Sequence, residues 1–400
     1  MNTRALQLGV LLFPVLAAAV DVKYDVSARL EARGRTALPG DTGTGVTGDL
    51  ELAPVGDLSL TTEHSSFLFQ YTPTLIWREP QTGGKLLPLQ RGRVAYSERF
   101  RHATLLLQQE GAWGLADIGS LRAPDGSLPT AVSEVQTLGA VPYLRSVTTG
   151  SLEVLPGRDV SFGLMANYSI SGSPVGTVGG LPLQQGPSAS LHARFPLTRR
   201  DGLTTTALFA SSTFDTGQEL AVVQLLETWD RALSRTMTFT IGGGAAVTRE
   251  VVVATQGIPG TYLEVLPAAA ASLGWRSSVA GSPVGFAASL RLAPFADRFT
   301  GFVYERLEGR LQANWQPDRK WVVSAGASGA LAVDMGRAEQ AGDRLVGGDA
   351  AVNYVPTTWL LLSATARVLW TEQPRTGAPG LVQAVGSVSV TVRAMDSLAW

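Results

Sequence analysis

The chain has 400 residues and a net charge of −1; 16% of its residues are charged and 45% are apolar. A disordered chain would be more charged and less apolar, and a near-zero net charge gives no attraction to nucleic acid. The lack of cysteine excludes disulfide scaffolds, cysteine-ligated metals and thiol nucleophiles. A helical membrane protein is excluded too, because only residues 6–20 approach an apolar run of about 18 residues.

Residues 1–19 have the features of a secretory signal peptide. Arg4 precedes an apolar stretch, and Ala17 and Ala19 have the spacing that signal peptidase accepts. We therefore expect cleavage after Ala19 and a mature chain of residues 20–400. An N-terminal membrane anchor is the alternative, but an apolar stretch of about 14 residues that Pro14 interrupts is short for a span.

The mature chain alternates apolar and polar residues. In residues 22–33, VKYDVSARLEAR, the apolar side chains occupy every second position and the charged or polar ones lie between them. Because successive side chains of a strand point to opposite faces, this pattern predicts a strand with one apolar and one polar face. The pattern recurs in 160–171, 237–248 and 303–315, and no extended segment shows a helical period. We predict an all-β protein.

Eighteen segments of this kind follow one another, joined alternately by short turns and by longer polar or glycine-rich stretches. This alternation is typical of bacterial outer-membrane barrels, which have short periplasmic turns and longer external loops. We predict a transmembrane antiparallel up-and-down β-barrel of 18 strands with both termini in the periplasm; 16 strands is the alternative. The predicted strands are 22–33, 45–61, 66–78, 91–100, 103–115, 138–155, 159–171, 187–198, 202–214, 219–231, 235–249, 261–275, 284–294, 299–315, 320–334, 344–355, 358–370 and 381–394.

A secreted β-sandwich also alternates, but three features favour the barrel. Many predicted strands are longer than the roughly 5 to 6 residues of soluble sheets. Tryptophans lie near the ends of apolar rows, where interfacial girdles are expected; they are Trp77, Trp113, Trp315, Trp321 and Trp370. The last segment is apolar at alternate positions and ends in Trp400, which we interpret as an insertion signal, although Asp396 interrupts the row and phenylalanine is more usual at the end.

The polar face of each strand is expected to line the lumen, because a barrel of 16–18 strands is too wide for its side chains to fill. The predicted pore-lining residues are Arg29, Glu31, Arg33, Arg78, Arg93, Arg145, His192, Arg194, Arg291, Arg306, Glu308, Arg310, Arg367 and Arg393. Further charged residues of this face are Lys23, Asp25, Asp49, Glu51, Arg99, Glu110, Glu153 and Asp349. The resulting 13 basic and 8 acidic groups predict a weak preference for anions.

The sequence gives no support for catalysis. The chain has three histidines that could act as general bases, His64, His102 and His192. No Gly-x-Ser-x-Gly motif accompanies them. Acidic residues are spread singly, so no calcium cage is expected. We predict that the chain is not an enzyme and has no catalytic, cofactor-binding or metal-binding residues.

Residues 20–400 resemble bacterial outer-membrane β-barrels of 16–18 strands, on the strand pattern and on the terminal Trp400. Within that size class the chain is similar to polysaccharide-secretion barrels, both the alginate-export type and the stand-alone barrels that work with short periplasmic polysaccharide-export proteins. The resemblance implies an outer-membrane pore that acts as a passive conduit for a secreted polysaccharide. It also implies contact with outer-membrane lipid, the barrel assembly machinery and a periplasmic export protein.

Two other functions fit the same fold. A general or solute-selective diffusion porin would pass a small anionic solute, and residues 116–137 form the one stretch long enough to fold inwards as its constriction. A structural or adhesion barrel would have a closed lumen instead. Open-channel conductance separates the two transport functions from the structural one.

Overall fold

The structure is a computed structural model that describes a defined part of the chain. The described residues are 21–36, 46–78, 85–117, 140–157, 160–174, 181–215, 217–253, 259–279, 281–296, 303–333, 343–372 and 380–398. The predicted signal peptide (1–19), Trp400 and most of the predicted constriction loop (116–137) lie outside them. Among the described residues, none belongs to a helix that could cross a membrane.

The described chain forms nineteen β-segments in a single antiparallel sheet. They are β1 (Asp21–Thr36), β2 (Val46–Thr61), β3 (Ser65–Tyr71), β4 (Thr74–Arg78), β5 (Lys85–Arg99), β6 (Ala103–Asp117), β7 (Ala140–Val154), β8 (Ser161–Gly172), β9 (Gln184–Pro196), β10 (Asp201–Phe214), β11 (Glu219–Ala232), β12 (Met237–Val252), β13 (Gly260–Val279), β14 (Ser282–Ala296), β15 (Val303–Trp315), β16 (Trp321–Val333), β17 (Arg344–Thr357), β18 (Leu360–Glu372) and β19 (Leu381–Leu398). Both β3 and β4 pair with β2 and with β5, so they are two parts of one barrel strand. The barrel therefore has the predicted 18 strands.

The sheet closes where the first strand meets the last. β1 pairs with β2 on one side and with β19 on the other, in a register that runs from Val22 opposite Leu398 to Arg35 opposite Val385. This closing pair is as long as the hairpins formed by sequence neighbours. Closure leaves the sheet without an open edge, as a lipid-embedded sheet requires. The prediction of a transmembrane up-and-down β-barrel is confirmed.

Each strand has an enclosed face and an outer face. On β1, the Glu31 side chain is 5% exposed, whereas the neighbouring Leu30 is 47% exposed. Because partners opposite each other in the register share a face, the same assignment extends around the barrel and returns to β1 consistently. We call the residues on the enclosed face the inward-facing row. The five tryptophans predicted to form girdles all alternate with this row and lie on the outer face.

Most of the short connections lie at one end of the barrel, together with both ends of the described chain. In bacterial outer-membrane barrels this end faces the periplasm. The opposite end, called external here, carries most of the longer connections. This arrangement places the start of β1 and the end of β19 side by side. The described chain therefore starts and finishes at the end with the short connections, as the alternation of turns and loops predicts.

The structure differs from the predicted boundaries around β4 and β5. The predicted strand 66–78 is interrupted after Tyr71, because Pro73 has no N–H to donate to a ladder. The predicted loop 79–90 is shorter than expected, since β5 begins at Lys85 and contains Pro88. Pro88 is tolerated there because the pairing of β5 with β6 ends at the next residue, Leu89.

The apolar core lies inside the external half of the barrel. Leu89, Ala112, Val141 and Tyr143 are inward-facing and buried, and Leu181, which precedes β9, packs against them. The Ser173 hydroxyl donates to the Pro142 carbonyl oxygen at 2.7 Å and ties the end of β8 to the same region. A second buried pair, Leu345 and Leu369, lies on β17 and β18. The external half of the barrel is therefore packed by the chain itself.

The exposure of inward-facing side chains changes along the barrel. On β12, Thr248 and Glu250 near the external end are buried, whereas Thr238 near the periplasmic end is exposed. On β15, Arg306 is buried and Asn314 is exposed. Inward-facing side chains are thus enclosed near the external end and open to solvent near the periplasmic end.

Gly114 provides a test of the packed external half. Its φ of 138° disfavours any residue with a Cβ, and a Cβ at this position would overlap the Pro88 carbonyl oxygen. We expect Gly114→Ala to destabilise the folded barrel by at least about 2 kcal/mol, measured as urea-induced unfolding in detergent micelles. Gly243→Ala is the matched control, because that outward position has open space around it. Equal stability of the two variants would contradict this account.

Candidate functional site

The register places all fourteen predicted pore-lining residues on the inward-facing row. The pairings that show this join β1 to β2 and to β19, and β4 to β5. They also join each strand to the next from β5 to β10 and from β13 to β19. The side chains are not spread evenly along the wall. They form three groups, with His192, Arg194 and Arg393 apart from them.

The first group is a buried ion-pair network on β1, β2 and β4, which we call the β1–β2 network. Glu31 and Glu51 lie directly opposite each other, a placement that would be repulsive in isolation. Arg29 and Arg33 each contact both carboxylates, and Arg29 donates a hydrogen bond to Glu51. The alternation of two basic and two acidic groups therefore neutralises the repulsion.

The same network continues towards the external end through Asp49. The Asp49 carboxylate lies 3.7 Å from Arg35 Nε and 3.4 Å from Arg78 Nε, and Arg78 lies directly opposite Asp49 in the register. Asp49 and Arg35 are each about 5% exposed. Charges buried to this degree require such pairing, since an unpaired charge would carry a large desolvation cost.

The second group surrounds Glu110 on β5, β6 and β7. Glu110 lies 3.7 Å from Arg93 Nε and 4.0 Å from an Arg145 guanidinium nitrogen. Gln108 joins them, because it accepts a hydrogen bond from Arg93 at 2.8 Å and donates one to Glu110 at 2.7 Å. Arg93, Glu110 and Arg145 line a cavity of about 240 Å³ in the wall, together with Arg91.

The third group lies on β14 to β18 around a larger cavity of about 490 Å³, which we call the β14–β18 cavity. Arg306 forms an ion pair with Glu308, and its guanidinium carbon lies 3.5 Å from the centre of the Phe295 ring. Arg367 lies directly opposite Asp349. Arg291 and Arg310 complete the charged lining of this cavity.

The remaining three predicted residues lie nearer the periplasmic end. The His192 ring packs over Gly163 so closely that a Cβ at position 163 would overlap it. Arg194 lies 3.8 Å from Asp230, and Arg393 is exposed. His192 is thus a wall residue that needs a glycine opposite it on β8.

Several charged residues of the inward-facing row are absent from the sequence prediction. They are Asp21, Arg35, Asp57, Arg91, Asp230, Glu250, Glu264 and Arg276. With them, the described inward-facing side chains comprise 16 basic and 13 acidic groups, so the basic excess is smaller than the 13 to 8 expected. Arg35 and Glu250 lie just beyond the predicted strand ends, where continuing the alternation would have found them.

No group of three or more metal-ligating side chains occurs in the part of the chain that the structure describes. The inner wall instead offers guanidinium groups, carboxylates and hydroxyls around two cavities. Such a wall can hold water and polar solutes along its length, because each of these groups can exchange hydrogen bonds with them.

Comparison with solved structures supports the fold alone. The crystal structure of OccAB1 from Acinetobacter baumannii is 11% identical, covers 95% of this chain and 98% of its own, and superposes with a TM-score of 0.51. Pseudomonas aeruginosa OpdQ is 9% identical, covers 94% and 98% of the two chains, and has a TM-score of 0.46. A search of curated protein sequences found no match.

The family comparison is more informative, because it concerns this sequence rather than the fold. The model of the EpsX exopolysaccharide export family matches residues 14–397, which is nearly the whole chain. The match covers all nineteen β-segments except the last residue of β19. Together with the closed barrel and its apolar outer face, this match places the protein in the bacterial outer membrane. The chain therefore belongs to the EpsX exopolysaccharide export family.

Proposed function

We propose that the protein is a passive outer-membrane conduit through which an exopolysaccharide leaves the cell. The observation that carries the proposal is the family match over residues 14–397. The polar inward-facing row supports it, because a sugar polymer needs hydroxyl-compatible groups along its path and an apolar wall would offer none. The conduit needs no catalytic step, so we also propose that the protein is not an enzyme.

The shape of the interior suits entry from the periplasm. Inward-facing side chains near the periplasmic end, such as Lys23, Arg276 and Asn314, are exposed. Those near the external end, such as Arg35 and Glu250, are buried. In this proposal a periplasmic export protein delivers the polymer to the wide end, and the packed external half forms the narrow exit.

The β1–β2 network supports a conduit of fixed width. Six ion-pair contacts join Arg29, Arg33, Arg35 and Arg78 to the carboxylates of Glu31, Asp49 and Glu51. Because these contacts run between neighbouring strands as well as along them, they resist shear of the wall. A wall that did not hold its shape would collapse against a polymer rather than pass it.

Planar-bilayer recording tests the transport function. We expect the purified protein to form conducting channels that fragments of an exopolysaccharide block, because a polymer that threads the narrow external half excludes ions from it. Monosaccharides at the same sugar concentration should have little effect. Block by small sugars to the same extent would instead indicate a diffusion porin, and the absence of any channel would contradict both transport functions.

Glu51→Gln tests whether the β1–β2 network holds the wall. The substitution leaves the half-buried Arg29 and the buried Arg33 in contact with the Glu31 carboxylate of the described network. We expect a loss of stability on the order of 3 kcal/mol, measured by urea unfolding in lipid vesicles, and noisier open-channel current.

Glu153→Gln is the matched control for this experiment. Glu153 faces inwards near the periplasmic end and is exposed, so its charge is already well solvated. We expect little change in stability or current noise. Similar behaviour of the two variants would show that the buried network does not brace the wall.

A further inference from the structure

The β14–β18 cavity is lined by two kinds of arginine. Arg306 forms an ion pair with Glu308 and stacks on Phe295. Arg367 lies directly opposite Asp349 on the adjacent strand. Arg291 and Arg310, in contrast, form no ion pair or hydrogen bond within the described residues, although both line the cavity. Both are also exposed.

Bracing does not account for these two arginines. In the β1–β2 network, each of Arg29, Arg33, Arg35 and Arg78 contacts at least one carboxylate and is at least partly buried. Among the described residues, the carboxylates that line the β14–β18 cavity are those of Glu308 and Asp349. Glu308 forms an ion pair with Arg306, and Asp349 lies directly opposite Arg367. The cavity therefore has two positive charges in excess, and they point into solvent.

The two arginines are close enough to act together. Arg291 on β14 lies directly opposite Glu308 on β15. Arg310 lies two residues after Glu308 on β15, opposite Ser289, and is therefore the diagonal neighbour of Arg291. Such diagonal neighbours are separated by roughly 7–8 Å, a distance that two long side chains can bridge. A single acidic group between them could receive hydrogen bonds from both guanidinium groups.

The rest of the cavity lining suits a sugar. Four hydroxyl side chains face the same space, and they belong to Thr240, Ser272, Ser289 and Ser328. Hydroxyls can both donate to and accept from the hydroxyl groups of a sugar ring. A cavity of about 490 Å³ is within the range of small-molecule sites and exceeds the space that one bound ion needs.

We propose that the β14–β18 cavity is a binding site for an acidic sugar residue of the transported polymer, with Arg291 and Arg310 holding its carboxylate or sulfate group. The proposal rests on the conduit function and adds the charge of the cargo. Guanidinium is suited to this role, because its planar donors match the geometry of both anions. An exposed site also releases its ligand readily, as a passage requires.

The test is block of single channels by short oligosaccharides of matched length: an oligohexuronate, a sulfated oligosaccharide and a neutral one. We expect the wild-type channel to be blocked by an acidic oligosaccharide at a lower concentration than by the neutral one. The double variant Arg291→Gln/Arg310→Gln should raise the half-blocking concentration of the acidic oligosaccharide at least about tenfold, because charge-assisted hydrogen bonds are lost. Its block by the neutral oligosaccharide should be unchanged.

Arg276→Gln is the matched control, because Arg276 is an exposed inward-facing arginine on the neighbouring β13 and does not line the cavity. We expect it to shift acidic block by no more than about threefold, which allows for the general loss of one positive charge. Normal conductance steps show that each variant is folded. The hexuronate and sulfated arms identify which acidic group the site prefers.

Two outcomes would overturn the assignment while the conduit function stands. One is equal block of the wild-type channel by acidic and neutral oligosaccharides. The other is an equal effect of the cavity double variant and Arg276→Gln, which would reduce the two arginines to general wall charge. Failure of the wild-type protein to form channels would instead remove the conduit function itself.

Discussion

Backbone hydrogen bonding in lipid is the constraint on which the whole structure depends. No water is available in the hydrocarbon layer to pair with free N–H and C=O groups, so a sheet placed there has to close. Here β1 and β19, the first and last strands of the described chain, pair with each other and close the sheet. Their pairing is as long as the pairing between strands that are neighbours in the sequence. Once the sheet is closed, alternate side chains face lipid and lumen, and the charged groups that face the lumen are stabilised there by water or by a partner.

Arginine meets this requirement in two ways on the same wall. Between β1, β2 and β4 it is buried against Glu31, Asp49 and Glu51, where its fork of donors can satisfy several carboxylate oxygens at once. Between β14 and β15 it remains exposed at Arg291 and Arg310. The first arrangement gives stability to a particular register, and the second leaves charge available to whatever occupies the lumen.

Much of this fold was predictable, because the alternation that makes a strand amphipathic is written directly in residues such as those of 22–33. The strand number and the face of all fourteen predicted wall residues follow from that alternation alone. The break at Pro73 was missed because the alternation of apolar residues continues in the same parity on both sides of it. The strand start at Lys85 was missed because Pro88 signals a loop, although a strand tolerates proline where the neighbouring ladder ends. The choice of ion-pair partners was also beyond reach. Arg33 contacts Glu31 on its own strand and Glu51 on the neighbouring strand. The second contact depends on register, and register depends on loop geometry as well as on pattern.

The gradient of side-chain exposure along β12 and β15 bears on how a flexible chain would move through such a barrel. A polymer that enters a narrow tube loses conformational entropy, and an abrupt mouth would impose that loss at a single step. Here the interior passes from exposed Thr238 and Asn314 to buried Glu250 and Arg306 over the length of one strand. Confinement would therefore increase gradually along the path, and the opposing force would be spread over many small steps.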